Sequence, residues 1–158
     1  MRLIHLQDNE IHFKTYCELW YQAQLEFNPS AAQKPKEQVI QQCEKLWENH
    51  TGQEVLLFQK NGSCIGYVLL SLEEECTPIL DLPEMCARVL FFYILPQFRK
   101  QKLGTAFFKL VRQWAREKEA AFIEVELGTT NGVGQQFLQA QGMELVGKGV
   151  ENRYRLVV

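Results

Sequence analysis

The spacing of apolar positions changes period several times along this chain. From Ile11 to Phe27 the apolar and aromatic residues (Ile11, Phe13, Tyr16, Leu19, Trp20, Ala23, Phe27) recur at helical spacing. That predicts an amphipathic helix, with Asp8 placed to cap it and Asn28-Pro29-Ser30 placed to stop it. Val39, Ile40, Cys43, Leu46 and Trp47 repeat the pattern after Pro35, and Thr51-Gly52 ends this second helix. Arg2 to Leu6 reads as a short strand. Val55–Phe58 and Cys64–Leu72 are strand-like runs separated by Lys60-Asn61-Gly62-Ser63. Asn-Gly accepts the positive φ angles of a type I′ turn, so the two runs form a hairpin. Residues 73–84 contain Pro78 and Pro83 and read as a loop. Arg88 to Leu95 is almost continuously apolar, as expected of a strand buried on both faces, and Pro96 ends it. Leu103, Phe107, Leu110, Val111 and Trp114 define a helix reaching about Lys118. Phe122–Leu127 is the next strand. A helix from about Gly132 to Gln141, stopped by Gly142, precedes strands at Met143–Val146 and Arg153–Val158. The order β α α β β β α β α β β, without an internal repeat, predicts one mixed α/β domain over residues 1–158.

Composition narrows the function classes. Apolar residues make up 46% and charged residues 23% of 158, an ordinary globular balance that argues against disorder. The longest apolar run, Val89 to Leu95, is far short of the roughly 20 residues of a membrane helix. No apolar segment follows Arg2 in the manner of a signal peptide. The five cysteines are odd in number and lack Cys-x-x-Cys spacing, which fits reduced thiols in a cytoplasmic protein. The three histidines show no metal-ligand spacing, so no metal is expected. Charge is informative by position. Residues 97–118 carry seven basic residues and one acid, while residues 73–84 carry five acids and no base. Such a layout suits an anionic ligand at one place and a cationic one at another. Nucleic-acid binding is disfavoured, because the basic stretch lacks interleaved exposed aromatics and the chain is net −2.

The segment richest in chemistry is Ile94-Leu95-Pro96-Gln97-Phe98-Arg99-Lys100-Gln101-Lys102-Leu103-Gly104-Thr105-Ala106. A buried strand ends, a basic turn follows, and a long amphipathic helix begins. The first helical turn presents backbone N–H groups without intrahelical partners, and the helix dipole adds positive potential there. A phosphate fits such a place, and Gly104 leaves room for close approach. A solvated basic helix start with a packing glycine explains the pattern equally well.

At these residues the sequence resembles the GNAT acetyltransferase superfamily, whose signature is Arg/Gln-x-x-Gly-x-Gly/Ala at the turn between the fourth strand and third helix. The matching string is Arg99-Lys100-Gln101-Lys102-Leu103-Gly104, led by Ile94-Leu95-Pro96. Lys102 stands where the family has its first glycine. Val125-Glu126-Leu127 looks like the family's fifth strand, with Asn131, Phe137 and Gly142 following at family-like spacing.

The resemblance implies a central mixed sheet of about six to seven strands with about four helices, splayed at an acetyl-CoA cleft. It implies that Phe92 and Ile94 offer backbone groups to pantetheine, like an added strand. Arg99, Lys100, Gln101, Lys102, Leu103, Gly104 and Thr105 would cradle the pyrophosphate. Asn131 would reach the cofactor arm, or cap a helix, and Phe137 would pack nearby. The implied reaction moves acetyl directly from acetyl-CoA to a primary amine, which must first lose a proton. Many relatives carry a tyrosine where this chain has Leu138, and some carry a glutamate where it has Arg88. Tyr93 and Glu126 are the substitute acid and base expected here. The acceptor is expected to be a small-molecule amine, cationic if residues 73–84 select it, with Tyr16, Trp20, Tyr21 and Phe27 as candidate walls. The changes at Leu138 and Lys102 raise an alternative: a catalytically weak or inactive module that binds acyl-CoA. A symmetric homodimer is the base-rate assembly.

Overall fold

The computed structural model describes residues 1–6, 9–76 and 83–158, the side chain of Cys76 excepted. Among them are seven strands: β1 (Arg2–His5), β2 (Gln53–Lys60), β3 (Ser63–Cys76), β4 (Pro83–Ile94), β5 (Phe122–Gly128), β6 (Glu144–Gly147) and β7 (Glu151–Val157). The helices are α1 (Glu10–Phe27), α2 (Lys36–Glu48), α3 (Leu103–Glu117) and α4 (Gly132–Ala140), with 3₁₀ turns at Pro29–Gln33 and Pro96–Phe98. The strand order is β1-β2-β3-β4-β5-β7-β6. β4 and β5 run parallel, whereas β1–β2, β5–β7 and β6–β7 are antiparallel. The mixed α/β class expected from the sequence is therefore the class observed.

The chain divides into two compact units, Met1–Leu69 with Phe92–Gln101, and Leu70–Phe91 with Lys102–Val158. In the first, β2 buries Val55, Leu56, Leu57 and Phe58 in succession, α1 buries Leu19 and Ala23, and α2 buries Val39 and Cys43. Tyr16 meets Tyr67 edge-on at 5.2 Å, and Tyr67 lies 6.0 Å from Tyr93. In the second, α3 buries Leu103, Phe107, Phe108, Val111, Trp114 and Ala115, the i, i+4, i+8 stripe that its sequence shows.

Local chemistry explains most element ends. Asn9 caps α1, its Oδ1 accepting from the N–H groups of Ile11 and His12. The Asp8 cap expected from sequence lies outside the described residues. Asn61 and Gly62 both have positive φ, 50° and 82°, the type I′ requirement that fixes the β2–β3 hairpin. Cys17, Cys43, Cys64 and Cys86 are free thiols.

Two expectations are corrected. Residues 73–76 and 83–84 belong to β3 and β4, not to a loop; residues 77–82 lie outside the described part. Alternation along β3 puts Glu73 and Glu75 on one face, where Arg88 takes both (2.9 and 2.8 Å) and Arg155 also takes Glu75 (3.2 Å). These pairs compensate for glutamate's poor strand propensity. Nor is β4 buried on both faces throughout. Leu90 is 40% exposed, and Phe91 and Phe92 are half-buried.

Candidate active site

The parallel ladder between β4 and β5 has four pairs, from Cys86↔Phe122 to Val89↔Val125. β4 runs on to Ile94 and β5 to Gly128. On its other edge β5 pairs with β7 over seven residues, so β5 is a regular strand whose neighbour β4 leaves it halfway. The exposure of Leu90 begins where the ladder stops. Past that point the Leu95 N–H donates to Ile65 of β3 (2.9 Å). Polar groups of successive strand residues point to opposite edges, so those of Ile94 point away from β3. The Ile94 carbonyl accepts there from Arg99 Nε at 2.7 Å.

The turn after β4 is built on unusual backbone. Lys100 and Lys102 have φ of 59° and 57°, in the left-handed region that glycine occupies without strain. The signature position that holds glycine in the family is left-handed in this chain, a conformation open to glycine, with lysine in its place. Lys102 precedes α3 and gives no side-chain cap; the first backbone bond of the helix runs from the Ala106 N–H to the Lys102 carbonyl (3.2 Å). The amides of Leu103, Gly104 and Thr105 make up the donor-rich first turn. Lys100, Gln101 and Lys102 are exposed, and Gln101 Nε2 donates to the Gln97 carbonyl (3.2 Å).

Each remaining site residue has a definite neighbourhood. A Cβ on Gly104 would stand 3.1 Å from the ring of Phe137, so this glycine makes room for the α4 phenylalanine. Phe137 also meets Phe108 edge-on at 6.2 Å. Thr105 Oγ1 accepts from Gln141 Nε2 at 3.2 Å. Asn131 caps α4, its Oδ1 accepting from the Gly134 N–H at 2.9 Å. Leu138, at the position of the relatives' tyrosine, is a core residue at 5% exposure.

Tyr93 is 2% exposed, with the Arg99 guanidinium 5.4 Å from its ring centre and Phe27 edge-on at 6.2 Å. Burial raises its phenol above the ordinary value, and a hydrogen bond to the Glu26 carboxylate adds to the shift. Glu126 sits on β5 one residue past the last β4 pair, 3.2 Å from Arg153 Nε. Both border an open hollow of about 540 Å³ lined also by residues 147–151. Of the candidate acceptor walls on α1, Tyr16 and Trp20 both border a hollow with Trp47, Lys36 Nζ lies over Tyr21, and Phe27 is 61% exposed.

Two acids stand out that sequence reasoning did not single out. Glu26 of α1 binds Arg99 through both oxygens, at 2.6 and 2.7 Å. The guanidinium holds the Glu26 carboxyl below its ordinary range. Glu124 of β5 is fully buried and accepts from Arg155 (2.8 Å) and Arg88 (3.2 Å), with Arg153 Nε at 3.5 Å. Glu75, Cys86 and Glu124 bring their ligand atoms within 4.8 Å of one another, but Arg88 and Arg155 already neutralise the two carboxylates. That arrangement suits an ion-pair network better than a cation.

Comparison with known proteins agrees with the fold. The model of the Acetyltransferase (GNAT) family matches residues 17–143. Comparison with curated proteins finds no match. Among solved structures, AAC(6')-Iy in complex with a bisubstrate analogue, CoA-S-monomethyl-acetylneamine, superposes with a TM-score of 0.66 at 16% identity, covering 95% of this chain and 96% of that one. The PaiA N-acetyltransferase of Thermoplasma acidophilum, in complex with coenzyme A, gives 0.65 at 15% identity over 100% of both chains. A putative GNAT acetyltransferase from Desulfovibrio desulfuricans gives 0.69 at 13% identity, covering 98% and 97%. At these identities the neighbours share the fold, while the match over residues 17–143 establishes kinship: the chain belongs to the GNAT acetyltransferase family.

Proposed function

We propose that this chain is an N-acetyltransferase that moves acetyl from acetyl-CoA to a primary amine of a small molecule, by direct transfer in a ternary complex. The observation that carries the reading is the β4–β5 ladder, which ends at Val89↔Val125 while both strands continue. Backbone groups of β4 beyond that point are the natural partners of an extended amide chain such as pantetheine, as in strand addition. Phe92 and Ile94 supply them. The turn from Arg99 to Thr105 supplies N–H donors and lysine charge for the pyrophosphate. Asn131 and Phe137 flank the arm. Acetyl-CoA supplies a thioester acyl donor; the protein supplies orientation and proton handling.

Glu126 takes the proton of the incoming ammonium. It stands past the last β4 pair, is 39% exposed, and opens on the hollow at residues 147–151, which has room for an acceptor. Tyr93 stays protonated under burial and serves as the acid for the leaving thiolate. The acceptor is an amine of the class present in the bisubstrate analogue bound to AAC(6')-Iy, an aminoglycoside N-acetyltransferase, and the reaction takes place in the cytoplasm. A preference for cations rests on exposed Glu74 more than on Glu73 and Glu75, which are held in ion pairs with Arg88 and Arg155.

A second reading, an acyl-CoA-binding module without turnover, has its own support. Glu126 is ion-paired with Arg153, and Leu138 is buried where relatives hold an acid. Two measurements separate the readings. Isothermal titration with acetyl-CoA reports binding, and thiol release with a panel of amines reports transfer. Binding with release is expected. Binding without release across polyamines, aminoglycosides and amino-sugars supports the module, and absence of binding removes both.

A further inference from the structure

The Arg99 side chain is the charged group that the resemblance aims at the pyrophosphate, yet every polar contact found for it is internal. Nη1 and Nη2 are held by Glu26 at 2.6 and 2.7 Å, and Nε caps the Ile94 carbonyl at 2.7 Å. Ile94 directs its polar groups to the β4 edge away from β3, so the carbonyl that Arg99 covers is one an added strand would use. Glu26 and Arg99 are 31% and 36% exposed, so the pair meets water and opens at modest cost.

We infer that Glu26 is a positioning residue for cofactor binding: it latches Arg99 onto the Ile94 carbonyl, and acetyl-CoA binds by opening that latch. The inference rests on the acetyl-CoA reading above. On binding, pantetheine takes the Ile94 carbonyl from Arg99 Nε, and the freed guanidinium exchanges the Glu26 carboxylate for a pyrophosphate oxygen. A planar two-pronged guanidinium fits carboxylate and phosphate equally well, which makes the exchange geometrically direct. Glu26 and the cofactor thus compete for one cation. The latch lies wholly within the first unit, on α1, the end of β4 and the turn after it.

Three variants and two ligands test this. Affinities for CoA and for acetyl-pantetheine, which lacks the pyrophosphate, are measured by titration on the full chain and on Glu26→Gln, Arg99→Gln and the double variant. Glu26→Gln is expected to tighten CoA about fivefold, the size of a partly exposed ion pair. Its KM for acetyl-CoA falls by a similar factor. Arg99→Gln is expected to move the two ligands in opposite directions, weakening CoA through the lost phosphate contact and tightening acetyl-pantetheine through the uncovered carbonyl. The double variant should match Arg99→Gln in both affinities, because in the latch Glu26 reaches the cofactor through Arg99. A purely structural bracket predicts that both single variants weaken both ligands; that outcome, or a Glu26→Gln affinity equal to the parent's, overturns the inference. If Glu26→Gln does not fold, Glu26→Asp shortens the two-pronged contact and must give the same direction. If the unmodified chain binds neither ligand, the acetyl-CoA reading itself fails; if it binds CoA while the variants misbehave, only the latch fails.

Discussion

Each of the two units contains an arginine–glutamate assembly, and the two are built to opposite ends. In the second unit Glu124 is fully buried among Arg88, Arg153 and Arg155, with Glu73 and Glu75 closing the outer side. In the first, Glu26 meets Arg99 at the surface. The chemical groups are the same, and the surface pair is the shorter, at 2.6 and 2.7 Å against 2.8–3.5 Å in the network. What differs is water. A buried carboxylate has lost its hydration, and its arginines, themselves 25–48% exposed, are the replacement; without them Glu124 would be stranded in a low-dielectric interior. A half-exposed pair can exchange either partner for solvent or for another anion. The network is therefore suited to holding β3, β4, β5 and β7 in register, and the pair to moving.

Glu124→Ala is the strongest way to break that contrast. Removing one member of a buried ion network costs about 3–5 kcal/mol, a large share of the stability of an ordinary domain. Urea unfolding should show the midpoint collapsing by that amount, or no folded protein at all. A loss below about 1 kcal/mol would put Glu124 in the same class as Glu26 and erase the distinction.

Where the sequence was legible and where it was not follows the same line between local and distant causes. Helix periods, the Asn61-Gly62 turn and the strand-to-helix turn at Pro96 are written in neighbouring residues, and the elements appear where expected within a few positions. The acidic stretch was not legible as strand, because what makes it one is Arg88 and Arg155 on other strands. Glu26 lies 73 residues from Arg99, and no spacing rule links them. Lys102 departs from the family glycine in sequence, yet its left-handed φ is a conformation that glycine adopts without strain. Gly104 was legible as a place where a side chain is excluded, but the excluding neighbour is Phe137.

Gly104→Val sharpens the comparison on the side of the second unit, where close packing accompanies buried charge. The added side chain would enter the space of the Phe137 ring, and overpacking of this kind costs about 1–3 kcal/mol. The thermal midpoint should fall whether or not CoA is present. An unchanged midpoint with weakened CoA binding would instead mean that Phe137 yields and that the ligand is what the glycine accommodates.

The smallest effect is expected at Glu26, and its pH dependence identifies it. Glu26→Gln should lower stability by less than about 1 kcal/mol near neutral pH, the usual range for a partly exposed pair. The folded carboxyl titrates below its ordinary value of 4.5, first through its hydrogen bond to Arg99. A carboxylate with a depressed folded pKa contributes stability above its unfolded pKa and loses it as pH falls through the folded one. The gap between parent and Glu26→Gln should therefore be largest above pH 4.5 and shrink toward zero in more acidic solution. It should also narrow with added salt, since about a third of each side chain meets solvent. Glu124 provides the internal contrast: buried from ions, its contribution should respond little to salt. Paired thermal melts across pH and salt measure both. A Glu26 gap that stays constant into acid, or survives high salt unchanged, would mean that Arg99 is anchored as firmly as the buried network, too firmly to exchange Glu26 for a phosphate.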